Sequence, residues 1–123
     1  MMNSKDQVKK IFYVDKVEFL RSMMELSFRS KKTEIYTVDT LENNFYLLDD
    51  LSPDLILFDV ESVRAQLEEL CQYTSKNLSK TILVAVGNES DKAQVSSMVK
   101  KFFLKPLDAS KIADQILSLI DWK

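Results

Sequence analysis

Asp59 closes an apolar run, Leu55-Ile56-Leu57-Phe58, so a carboxylate stands where a buried parallel strand breaks surface at its C-terminal end. Open α/β sheets keep their chemistry at that edge. Two further residues arrive in the same way: Asp15 directly follows Ile11-Phe12-Tyr13-Val14, and Lys105-Pro106 directly follows Phe102-Phe103-Leu104. Two acids and a lysine at three strand ends predict one pocket that concentrates charge of both signs. Plainer roles are open to each of them. Asp59 can cap the helix after it, Asp15 can cap a helix starting near Val17, and Lys105 can form a structural ion pair with Asp59. Hydrolytic and acyl-transfer chemistry lacks its parts, because a chain with no His and a single Cys has neither the usual base nor a partnered thiol. The expectation is a protein that is not an enzyme.

Strand-end residues need a sheet to align them. Apolar runs alternate here with segments of helical period, the sequence pattern of βαβ units around a parallel sheet. The pattern predicts strands near 10–14, 34–38, 54–59, 81–86 and 101–104. The first, third and fourth are almost continuously apolar, as strands covered on both faces are. Glu34-Ile35-Tyr36-Thr37-Val38 alternates and the fifth strand is short, which places both at edges. The predicted fold is therefore α/β, a three-layer doubly wound sheet of five parallel strands in the order 2-1-3-4-5, the flavodoxin-like topology. Helical stripes run through Phe19, Leu20, Met23, Met24 and Leu26, through Leu41, Phe45 and Leu48, and through Leu67, Leu70 and Cys71. Asp108 is a good N-cap for a last helix carrying Ile112, Ile116, Leu119 and Ile120, with Trp122 as a packing residue at its end. Between 89 and 99 only Val95, Met98 and Val99 are available to bury, so that helix is expected to be short or mobile.

With 123 residues, 46% of them hydrophobic, the chain fits one domain with an ordinary core, residues 1–8 forming a loose extension. A net charge of -2 argues against a general nucleic-acid binder. Charge is unevenly spread: residues 33–70 hold one basic residue against ten acids, an acidic block that is either a solvated face or a surface for a basic partner. The lone Cys71 excludes an internal disulfide and suits a reduced, cytoplasmic setting. No stretch approaches the roughly 20 apolar residues of a membrane span. A flavodoxin-like cofactor binder would need a phosphate loop after the first strand, where Asp15-Lys16-Val17-Glu18 has the wrong chemistry. For an aspartate-nucleophile phosphatase, Asp59-Val60-Glu61 is a loose match.

Three segments together resemble the receiver domains of bacterial two-component response regulators: Pro53-Asp54-Leu55-Ile56-Leu57-Phe58-Asp59-Val60, Phe102-Phe103-Leu104-Lys105-Pro106-Leu107, and Val14-Asp15-Lys16 followed by Arg21. The resemblance covers nearly the whole chain. It implies Asp59 as phospho-acceptor, Asp15 and Asp59 as ligands of Mg²⁺, and Lys105 as the lysine pairing with the acceptor and its phosphoryl group. It places Val86 and Phe102 at the two switch positions. The partners it implies are proteins, a histidine kinase or a downstream signalling protein. The output face would run over the fourth strand, fourth helix and last helix through Leu107, Lys111 and Leu117, with homodimerisation as a further use. The acidic side around Asp49, Asp50, Glu68 and Glu69 is the other candidate surface.

The departures lie around the pocket. Lys16 replaces the second acid, a local change of about two charge units that opposes Mg²⁺. It could instead lie beside Asp59 as a built-in cation opposite Lys105, or point to solvent. Val86 stands where the family has Ser or Thr and reads most simply as the last core residue of its strand. Glu61-Ser62-Val63-Arg64-Ala65 lacks the usual Met-Pro and Gly, and the stretch from Gly87 to Lys105 lacks a Gly-Ala turn and is a few residues short. These changes favour an atypical receiver, a pseudo-receiver that acts as a phosphorylation-independent interaction module. The alternative is a working receiver that accepts phosphate on Asp59 with a divalent metal.

Overall fold

Five parallel strands form a single sheet in the computed structural model, which describes residues 8–29 and 31–121. They are β1 (Lys9–Val14), β2 (Thr33–Val38), β3 (Leu55–Asp59), β4 (Ile82–Gly87) and β5 (Lys101–Leu104), in the expected order β2-β1-β3-β4-β5. Ile11 to Val14 and the whole of β3 are buried, which follows from helices on both faces. Alternate residues serve opposite layers. Phe12, Val14, Ile56, Phe58 and Ala85 face one core with Leu48, Val63, Leu67 and Leu70. Ile11, Tyr13, Leu55, Leu57, Val84 and Val86 face the other with Met24, Phe28, Ile112 and Ile116. The register sets Val14 opposite Phe58, Asp59 opposite Val86, and Gly87 opposite Leu104, so the residues after β1, β3, β4 and β5 share one edge.

The helices are α1 (Glu18–Arg29), α2 (Phe45–Leu51), α3 (Val60–Val63), α4 (Leu67–Asn77), α5 (Lys92–Val95) and α6 (Ala109–Asp121). Leu48, Leu67, Leu70, Ile112, Ile116 and Ile120 are buried as the spacing predicts, and Leu41 is buried just ahead of α2. Asp108 accepts from the Ser110 backbone N–H and hydroxyl at 3.0 and 2.6 Å, as an N-cap does, and the Ser110 donors hold its pKa below the usual carboxylate value. The expected helix over 89–99 contracts to a 3₁₀ turn, Glu89–Asp91, and the single turn of α5, which buries Val95. Trp122 and the expected extension, apart from Val8, lie outside the described residues.

α1 departs from the predicted stripe. Phe19 is 69% and Leu26 is 55% exposed, whereas Met24 and Phe28 are buried and Leu20 and Met23 half-buried. Two overlapping rows compete on this helix, and the row through Leu20 and Met24 wins because it continues to Phe28, the larger side chain to remove from water. The Arg21 guanidinium fixes the choice by donating to the Asp15 carbonyl at 2.7 Å.

Ser52 ends α2 in the left-handed region at φ 45°, its N–H donating to the Leu48 carbonyl at 2.9 Å. A left-handed non-glycine residue costs about 1–2 kcal/mol, of which glycine returns about half through the greater freedom of the unfolded chain. Ser52→Gly is expected to stabilise the protein by about 0.5–1 kcal/mol, read as a higher urea midpoint at constant slope. Among the described residues no helix is long and apolar enough to cross a membrane.

Candidate functional site

Asp59 ends β3 and is 2% exposed. α3 starts at the very next residue with no intervening loop, so the carboxylate becomes the N-cap of that helix. Its Oδ2 accepts from the Ser62 backbone N–H at 3.0 Å and from the Ser62 hydroxyl at 2.6 Å. Its Oδ1 lies 2.5 Å from the Lys105 Nζ. Both plainer roles, cap and ion pair, are thus met by one side chain.

Lys105 is placed by its backbone N–H, which donates to the Gly87 carbonyl at 2.9 Å directly after β5, and the following bond to Pro106 is cis. Burial disfavours its charge, but the close ion pair with Asp59 and the charges of Asp15 and Glu61 outweigh that, and its pKa rises. Asp15 is also 2% exposed. Its Oδ1 accepts from the Val17 N–H at 2.9 Å, as an N-cap would, and its Oδ2 accepts from the buried Tyr13 hydroxyl at 2.5 Å. Burial first, then this bond and the charges of Asp15 and Asp59, push the Tyr13 phenol far up. Tyr13 is therefore a neutral donor at any working pH.

Lys16 does not lie beside Asp59. Its ammonium pairs with the Glu61 Oε2 at 3.2 Å, both side chains more than half exposed, so it takes the solvent-facing of its two expected directions. The Lys16 backbone N–H donates to the Ser62 Oγ at 2.8 Å. Val86 is a buried core residue packed in the layer of Tyr13 and Leu57. Beside it, a Cβ on Gly87 would meet the Asp91 Oδ2 at 2.9 Å and the Val60 Cγ2 at 3.2 Å, so a side chain here would have to push the Asp91 carboxylate aside. Asp91 accepts from the Asn88 N–H at 2.9 Å and from the Arg64 Nη2 at 2.9 Å, and these donors, in that order, lower its pKa. The Arg64 Nη1 also donates to the Gln94 Oε1 at 2.7 Å.

The fold thus brings Asp15, Asp59, Val86 and Lys105 to one edge and leaves Lys16 on the rim. Phe102 is half-buried against the Phe12 and Phe58 layer. Leu107 and Leu117, expected as contact residues, are half-buried against the layer of Ile112 and Ile116, while Lys111 is exposed, 4.0 Å from Asp108. Asp49, Asp50, Glu68 and Glu69 are exposed on α2 and α4, where the bond to Asp49 raises the Tyr73 phenol to about 12. Sequence reasoning passed over Ser62, Arg64, Asp91 and Tyr13. Ser62 and Asp91 carried a usable sign, each standing three residues after a capping residue, Asp59 and Asn88.

Mg²⁺ requires about six oxygen ligands in near-octahedral array. The carboxylates of Asp15 and Asp59 are turned to Val17, Tyr13, Ser62 and Lys105 instead. Among the described residues no group of three or more acidic, His or Cys side chains is arranged to hold a metal. The donor set does not fit the cation that the resemblance implies.

No family model and no curated protein matches the sequence. Solved structures do match. A response regulator from Thermotoga maritima aligns over 94% of this chain and 100% of its own at 13% identity, with a TM-score of 0.80. An orphan response regulator of H. pylori aligns over 91% and 96% at 14% identity and a TM-score of 0.78. The signal receiver domain of a response regulator from Bermanella marisrubri aligns over 94% and 100% at 18% identity and a TM-score of 0.76. The chain has the response regulator receiver fold.

Proposed function

We propose that this chain is a receiver-type signalling module that works by binding another protein, with Asp59 as an internal structural partner rather than a phosphoryl acceptor. One observation carries the reading: the Asp59 Oδ2 is engaged within the chain by the Ser62 N–H and hydroxyl, while Oδ1 faces Lys105 as an ion pair and accepts no hydrogen bond from the described residues. An acceptor attacks phosphorus through a free carboxylate oxygen, and a divalent cation must offset the charge of both reactants. Here Oδ2 is taken by Ser62, and the carboxylates that would hold the cation are turned to partners within the chain. The absence of a hydroxyl at Val86 agrees, since nothing there could report a phosphoryl group.

The partner in this reading is a protein, a kinase or a downstream signalling component in the cytoplasm, and a second copy of the chain is the simplest alternative. The opposing reading, a working phospho-acceptor, draws on the intact Asp59–Lys105 pair. Incubation with acetyl phosphate and Mg²⁺, followed by intact mass beside an Asp59→Asn control, separates them. The proposal expects no adduct where an ordinary receiver labels fully. An adduct that disappears in the control overturns it.

A further inference from the structure

We infer that the segment Glu61 to Arg64, running from the first turn of α3 to just past its end, is a built-in substitute for the divalent cation of this pocket, joining the end of β3 to the loop after β1 as a metal held by Asp15 and Asp59 would join them. The Ser62 hydroxyl is the central bridge: it donates to the Asp59 Oδ2 at 2.6 Å and accepts from the Lys16 N–H at 2.8 Å. One oxygen therefore links the end of β3 to the loop after β1. Two further ties close the rim, Glu61 to the Lys16 ammonium at 3.2 Å and Arg64 to Asp91 at 2.9 Å, the second reaching the loop after β4.

Charge is balanced by the same residues. Asp15, Asp59 and Glu61 bring three carboxylates, and Lys16, Lys105 and Arg21, the last bonded to the Asp15 carbonyl, three cations, leaving no net negative charge to attract a divalent ion. A cation entering here must displace Ser62 from Asp59 and thereby strip the Lys16 N–H of its acceptor. Exclusion of metal is then a property of Ser62 and Lys16 in particular, and removing both restores a site. Lys16→Asp supplies a carboxylate on the rim, and Ser62→Ala frees the Asp59 Oδ2.

The inference rests on the function proposed above but fails separately. Mn²⁺, which broadens nearby amide resonances, is titrated into wild type and into the Lys16→Asp/Ser62→Ala variant, each observed by ¹⁵N–¹H correlation spectra. The expected result is no selective loss at Asp15, Lys16 or Asp59 in wild type, and loss centred on them in the variant at a concentration at least tenfold lower. Loss at those amides in wild type within threefold of the variant's midpoint overturns the inference. So does a well-dispersed variant that binds no better than wild type. If the double variant loses its dispersed spectrum, Lys16→Asp/Ser62→Gly, which removes the same hydroxyl and ammonium, carries the same comparison. An Asp59 adduct without selective broadening in wild type would overturn only the proposed function, and broadening without an adduct only this inference.

Discussion

Lys105→Ala is expected to cost about 2–4 kcal/mol of stability, the largest single effect at the pocket. The asymmetry of the pair decides the size. Asp59 is 2% exposed while the Lys105 side chain is 30% exposed, so truncating the lysine strands a charge that water cannot reach. Breaking a buried pair in this way costs about 3–5 kcal/mol, and the partial exposure of the ammonium lowers the figure. Adding Asp59→Asn should recover about half of the loss, because the stranded charge is gone while an oxygen still accepts from Ser62. Urea unfolding of the two single variants and the double variant measures this. Equal losses in the Lys105→Ala and double variants would mean that packing, not charge, is what the lysine supplies.

Phe28→Ala should lose about 3–5 kcal/mol and Leu26→Ala less than about 0.5 kcal/mol, although both are apolar residues two positions apart on α1. Phe28 is fully buried beside Met24 and Ile116, whereas Leu26 faces outward. Thermal unfolding of the two variants tests which row of the helix meets the sheet. Comparable losses would restore the row through Phe19, Met23 and Leu26.

That helix shows where the sequence was legible and where it was not. β1, β3 and β4 announced themselves because strands buried on both faces have no polar residue to interrupt them, and strand order followed from which runs alternated. α1 carries apolar residues around most of its circumference, so period alone could not choose a face. Arg21, bonded to a carbonyl six residues earlier, chose it through a contact that no spacing encodes. At the pocket, Asp15, Asp59 and Lys105 were readable because strand ends are. Lys16 was placed on the right loop with two directions open, beside Asp59 or out to solvent, and the outward one holds, its ammonium paired with Glu61 while Ser62 takes the Asp59 Oδ2. The single turn of α5 was foreshadowed by the scarcity of apolar residues between Gly87 and Lys101.

The absence of any loop between β3 and α3 has a consequence for how such a molecule could be controlled. A switch needs two states that some ligand tells apart, and a ligand shifts a population only by its difference in affinity between them. On the proposed reading, the pocket that would receive a donor's message is closed by the chain's own Ser62 and Lys105, so no donor selects between its states. What remains to vary is abundance. Such a protein would report how much of it has been synthesised and how fast it is degraded, and its partner's occupancy would follow concentration by simple mass action.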